Sequence, residues 1–227
     1  MMALSERRGA SELLRGVLVL AAICLASGLG VGLLYVNMKS DILANERRVF
    51  ENRLRVVLGR GREYQPVGAY PQGTLDARKI YAAETGDGVL YAATGSAQGY
   101  QSEVTVLVSV RAEREGEPVG EDATIHRLAV VSSQETPGLG ENVNAVKPTV
   151  SIWGALSGGG SEEQQRPWFQ EQFEGKTLEQ LTLEPGQEGE NIEAMTGATI
   201  TSRATTKAAR EAFRRIMDKT EQLYGEK

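Results

Sequence analysis

The chain has 227 residues, 41% hydrophobic and 24% charged, with a net charge of −5. These are values of a globular protein that can bury a core, and the charge has the wrong sign for a nucleic-acid partner. One cysteine (Cys24) and one histidine (His126) exclude a disulfide framework, a zinc site or a cysteine-ligated iron–sulfur cluster built from this chain alone, and argue against a serine triad or a histidine-based metal site. Redox chemistry, if present, has to run on an organic cofactor.

Residues 1–15 form a short polar tail with Arg7, Arg8 and Arg15 against Glu6 and Glu12. The stretch 16–38 carries no charge; as a helix it spans about 34 Å, enough for a hydrocarbon core of about 30 Å. A retained transmembrane helix is the expectation. A cleaved signal peptide is the alternative, but the apolar run continues past the small residues at 26–28 and is too long for a typical signal core. Cys24 could suggest lipidation, against which Ile23 is bulky where a lipoprotein box carries a small residue. Gly28, Gly30 and Gly32 suit close packing against partner helices. Basic residues flank both ends of the span, so charge does not settle its orientation.

Residues 39–62 read as a juxtamembrane helical linker. Val49, Phe50, Leu54, Val57 and Leu58 recur at helical spacing, and Gly59-Arg60-Gly61 ends the run. It could lie on the bilayer, link rigidly to a domain or pack on it. From 63 to 227 the pattern is that of an α+β domain with an antiparallel sheet and flanking helices. Strands are expected at 77–84 and 89–93 around the turn 85–88, then at 104–111 (VTVLVSVR) and 123–131, the last two paired as a hairpin in a half-covered sheet. His126 falls in that last strand, where a structural histidine is the default. A glycine-rich surface loop is expected at 156–165, and a short helix opens at 167–173 and closes at Gly175. A strand or irregular edge should occupy 178–183. A helix over 203–224 places Ala208, Ala212, Phe213, Ile216 and Leu223 on one face.

Two loops carry the chemistry. In 193–202 the small residues Gly197 and Ala198 sit between the hydroxyls of Thr196 and Thr199, just ahead of the last helix. Such a stretch is either an ordinary turn with a Ser/Thr cap or a place where backbone N–H groups and the helix dipole hold a phosphate. In 135–141, Pro137-Gly138 fits a tight turn with Leu139 at its tip. It is either a plain turn with an exposed leucine or an apolar tip against which a flat ligand can lie.

ETPGLGE at 135–141, W-x4-F-x-GK at 168–176 and TGATITS at 196–202 stand in the order seen in one family. The chain resembles the G component of the Rnf electron-transport complex and, more broadly, the FMN-binding domain shared with the C component of the sodium-pumping NADH:quinone reductase. The resemblance covers the N-terminal span and most of 80–215. One position departs: six residues before the last threonine of the GAT motif the family usually has aspartate, and here stands Glu193. The resemblance implies a single-pass anchor in the plasma membrane with the FMN domain on the extracytoplasmic side. It implies covalent FMN, its phosphate esterified to the hydroxyl of Thr199, with Thr196, Gly197 and Ala198 beside it. The loop bearing Glu135, Thr136, Gly138 and Leu139 would touch the isoalloxazine ring, Thr136 and Leu139 above all. Expected partners are the other membrane and peripheral subunits of an Rnf-type ferredoxin:NAD oxidoreductase that moves ions, and a flavin transferase during maturation. No general acid or base is called for. The alternatives are the equivalent subunit of the NADH:quinone reductase and a non-redox anchored scaffold in which TGAT is only a cap.

Overall fold

The apolar stretch lies within α1 (Met2–Leu58). The computed structural model describes residues 2–68, 79–113, 116–135, 140–144, 167–183 and 192–225, the side chains of 2–13, 141 and 142 excepted. The chain divides into two compact units, Met1–Arg48 and Val49–Lys227. In the first unit the consecutive residues Val17, Leu18, Val19 and Leu20 are all exposed, as are Leu33, Leu34, Tyr35 and Val36. Apolar surface therefore faces every direction around the helix, a distribution suited to lipid rather than water. Among the described residues one helix is long and apolar enough to cross a membrane, with a mean hydropathy of 2.5 in its most apolar window. The protein is membrane-associated through it.

The second unit opens on the last turns of α1. Phe50, Leu54, Val57 and Leu58 are buried, so this amphipathic stretch packs on the sheet. Helix ends leave carbonyls without partners, and here each of the last three is met. The Arg127 guanidinium donates to Val56 O at 3.1 Å, Ser109 Oγ to Val57 O at 2.7 Å, and the Arg62 guanidinium to Leu58 O at 3.1 Å. Gly59 (φ +101°) and Gly61 (φ +83°) then turn the chain away, in a region that strains any residue with a Cβ.

Five strands follow: β1 (Gln65–Pro66), β2 (Tyr81–Thr85), β3 (Gly88–Gln98), β4 (Glu103–Ala112) and β5 (Ile125–Ser132). They form one antiparallel meander in chain order. The expected hairpins at 85–88 and between β4 and β5 are present, and His126 lies half-buried in β5. Residues 77, 78 and 156–165 lie outside the described residues. The expected half-covered sheet is corrected. Val104, Val106, Val108 and Val110 join Tyr91 and Ala93 in one core, while Leu90, Ala92, Leu107 and Ala129 join Phe50, Leu54, Val57 and Leu58 in another. Both faces are covered. The sign in β4 was Leu107, an apolar residue on the face where Thr105, Ser109 and Arg111 otherwise alternate with the four valines.

The short helix α2 (Trp168–Glu171) sends Phe169 into the first core, with Phe173 just beyond it. Gly175 (φ +76°) lets the chain dock on β5, where Gly175 N donates to Ile125 O and Ile125 N to Lys176 O, at 2.8 and 2.9 Å. No strand forms at 178–183, which is held as an irregular edge by Ile192 N on Thr182 O at 3.0 Å. The last helix, α3 (Thr199–Tyr224), crosses β3 and β4. It starts at Thr199, not at Arg203. The Ser/Thr run that reads as a cap is inside the helix, because Ser202, Thr205 and Thr206 donate their hydroxyls to carbonyls four residues back, at 2.9–3.0 Å. Satisfied in this way, they can be buried. Leu223, expected on the packed face, is 37% exposed. Gly95 on β3 lets α3 come close: a Cβ there would abut Ala208 O and stand 2.6 Å from Ala212 N.

Candidate functional site

The turn before α3 is built by its own residues. Ala198 N donates to Met195 O at 3.0 Å, and Gly197 takes φ +75°, which glycine adopts without strain. Ser202 locks the turn, accepting Met195 N at 3.0 Å and donating to Ala198 O at 3.0 Å. Ala198 occupies the N-cap position and makes no side-chain cap. The expected Ser/Thr cap is thus replaced by a residue with no polar group. The first-turn N–H groups receive no bond from it, and they and the helix dipole favour an anion. Thr199, the first helical residue, is exposed, as are Thr196 and Gly197, while Ala198 is buried.

Facing this helix start is the β3–β4 turn, closed by Gly99 N on Ser102 O at 2.8 Å. Between them lies the carboxylate of Glu135, only 6% exposed. It accepts hydrogen bonds from Tyr100 N (3.3 Å), Gln101 N (3.3 Å), Ser102 N (3.2 Å), Ser102 Oγ (3.5 Å) and Thr201 Oγ1 (2.9 Å). Burial pushes this carboxyl up. The Thr201 hydroxyl and the backbone N–H groups of Ser102, Gln101 and Tyr100 outweigh that and hold it below its ordinary value. Two glycines make room for it: a Cβ on Gly99 would strike Glu135 Oε1, and one on Gly140 would sit 2.7 Å from Thr201 Oγ1 and from Glu135 Cβ.

Above this clamp is a cavity of about 630 Å³, with Tyr100, Gln101, Glu135, Gly140, Gly197, Ala198, Thr199, Ile200 and Thr201 as its walls. Four residues singled out in the sequence therefore meet here: Glu135, Gly197, Ala198 and Thr199. Thr196 is exposed on the same turn but is not among the walls. Thr136, Gly138 and Leu139 lie outside the described residues. Tyr100, Gln101, Ile200 and Thr201 were missed as site residues. The only signal for the first two was the Gly99 turn between two strong strands. The Trp-x4-Phe segment joins the site indirectly, through Gln172, whose side-chain amide accepts Glu193 N at 2.8 Å and donates to Glu193 O at 3.4 Å.

Comparison with known proteins decides what kind of site this is. Residues 99–214 match the FMN-binding domain family, about half of the chain, and the match begins at the glycine of the β3–β4 turn and takes in every wall of the cavity. The chain belongs to the FMN-binding domain family. It is 26% identical over 200 residues to the G component of the proton-translocating ferredoxin:NAD(+) oxidoreductase complex of Clostridium ljungdahlii, an alignment covering 87% of this chain and 88% of that one. It is 33% identical over 117 residues to the G component of the Na(+)-translocating ferredoxin:NAD(+) oxidoreductase complex of Acetobacterium woodii, covering 50% of this chain and 42% of that one.

The residues present fit the family's cofactor. The cavity volume lies in the range of about 300–1,000 Å³ typical of small-molecule sites. A helix start without a side-chain cap faces one end of it and suits the FMN phosphate. Tyr100 and Ile200 add apolar surface for a ring, and the carboxylate buried beneath is fully hydrogen-bonded. Glu135 does not stand free to meet a ligand. Its carboxylate is spent on joining the β3–β4 turn to α3.

Proposed function

We propose that this chain is the membrane-anchored flavoprotein subunit of an Rnf-type ferredoxin:NAD oxidoreductase complex, carrying FMN as a phosphoester on Thr199. The observation that carries the attachment is the placing of Thr199: an exposed hydroxyl on the first residue of α3, at the wall of the family's cavity. A threonine further along the helix would be unusable, since Thr205 is buried and its hydroxyl is engaged. Thr201 is likewise committed to Glu135. Thr196 is exposed but stands off the cavity.

Bound FMN exchanges one or two electrons. The chain's own part is to hold the phosphate at the helix start, to fix the cavity walls through Glu135, and to keep the flavin at the membrane. Covalent attachment suits a carrier whose domain lies outside the cytoplasm, where a lost flavin is not readily replaced. In this reading 1–15 is cytoplasmic, 16–38 spans the membrane, 39–48 leads on from it, and the extracytoplasmic FMN domain is the second compact unit, Val49–Lys227. The remaining membrane and peripheral subunits are its partners, and a flavin transferase loads it. Both relatives belong to ferredoxin:NAD(+) oxidoreductase complexes, which favours this complex over the NADH:quinone reductase.

The test is direct. The full chain, made in a host with a flavin transferase, is denatured, separated on a gel and viewed under ultraviolet light. A fluorescent band, with the mass of one FMN added to the intact chain, is expected. A dark band and an unmodified mass would overturn the flavoprotein reading in favour of a scaffold.

A further inference from the structure

The most exposed large apolar side chains of the second unit are in one place. Among its described residues, Val49, Tyr100, Ile200 and Leu223 are the large hydrophobics left exposed. Val49 and Leu223 are each only 37% exposed. Tyr100 is 66% exposed and Ile200 48%, and both line the cavity beside Thr199. Single exposed apolar residues on a surface need no explanation, whereas a pair on a shared concavity marks a ligand or partner. The two are also mechanically linked. Tyr100 N donates to Glu135 Oε2 at 3.3 Å, and Thr201, the residue after Ile200, donates its hydroxyl to the same oxygen at 2.9 Å. One buried carboxylate thus sets the separation of the turn and the helix that carry them.

We propose that Tyr100 and Ile200 are the two apolar jaws that take the isoalloxazine ring, with Glu135 as the positioning residue that fixes their spacing. The inference rests on the reading that FMN is attached at Thr199. A flat aromatic ring tethered at that point covers apolar surface that the domain otherwise leaves in water, and a tyrosine face is a suitable stacking surface for it. Val143 and Phe169, which are fully buried, are unavailable for this role.

The experiment uses the full-length protein in detergent with its flavin attached, and measures iodide quenching of flavin fluorescence, a readout that sees only molecules carrying the flavin. Pockets of this kind bury about 70–90% of a ligand, so opening one jaw roughly doubles the ring area in water. Tyr100→Ala and Ile200→Ser are each expected to raise the quenching constant about twofold on that scale. Tyr100→Ala should also lengthen the fluorescence lifetime, because the stacked phenol that quenches the flavin is gone. Tyr100→Phe keeps the ring and should leave iodide access as in the unsubstituted protein. Unchanged quenching in both Tyr100→Ala and Ile200→Ser, on chains whose mass shows the adduct, would overturn the jaws and leave the attachment standing. Absence of the adduct from the unsubstituted chain would overturn the attachment and the jaws together.

Discussion

Replacing Glu135 with Gln changes almost no volume and tests the clamp alone. Each carboxylate oxygen accepts from at least two donors. In the amide, one of those oxygens becomes an NH₂ pointed at N–H and O–H groups. Hydrogen bonds to a charged group contribute about 1.5–3 kcal/mol, and a buried group left unpaired costs a similar amount. Only the Thr201 bond is short, and the carboxylate borders a cavity that water can enter, so the lower part of the range applies, about 1.5–2 kcal/mol. For a domain of this size that corresponds to a fall in Tm of roughly 3–8 °C. The dependence on pH is distinctive. A carboxyl held below its ordinary value of 4.5 stabilises the fold fully above that value, and the contribution is lost as pH falls through the lower, folded-state value. The gap between the parent and the Gln variant, followed by circular dichroism melts of the detergent-solubilised chain, should be widest near neutrality and close in acid. A variant that melts with the parent at pH 7, or a gap that stays constant into strong acid, would refute the clamp.

Thr199→Ala should keep the fold and lose the FMN adduct, while Thr199→Ser, which retains a hydroxyl, should keep it; intact mass of both decides, and an adduct on the alanine chain would move the attachment elsewhere. Gly95→Ala forces a methyl against two backbone atoms of α3, Ala208 O and Ala212 N, which cannot swing aside. The cost should reach the upper end of overpacking, about 3 kcal/mol, measured by urea unfolding; a change below about 1 kcal/mol would show that the helix simply shifts. Leu139→Asp should leave the flavin attached and shift its midpoint potential, and a potential unchanged in redox titration would remove Leu139 from the ring's surroundings.

The strands from β2 to β5 are legible in the sequence because β-branched runs and a strong turn signal agree. The turn 85–88 and the run 104–111 fall where expected. The second cover of the sheet is harder to read, because its signal is split between two places: Leu107 on the otherwise polar face of β4, and an amphipathic stretch at 49–58. Each alone admits several explanations, and only a contact across some 50 residues, such as Ser109 on Val57, chooses one. The start of α3 differs from expectation for a local reason. Threonine and serine favour caps when their hydroxyls compete with the backbone, yet here they bond carbonyls within the helix and are buried. At the site, Thr199 comes from a motif and not from periodicity. The inward turn of Glu135 toward residues 33–35 positions back and 66 positions on has no signature in the order of residues. Tyr100 and Ile200 escape notice in the sequence because an exposed aromatic and an exposed aliphatic mean nothing until they are found on the same concavity.

The end of α1 has a practical consequence for anyone wishing to separate the flavin domain from the membrane. Hydropathy suggests cutting after 38, and strand patterning suggests starting at 63. The second choice would discard Phe50, Leu54, Val57 and Leu58 and bare a sheet face made of Leu90, Ala92, Leu107 and Ala129. It would also strip Ser109 and Arg127 of the carbonyls they hold. A fragment cut there would stick to its own copies and be mistaken for an insoluble protein. One that begins upstream of Val49 takes its lid with it.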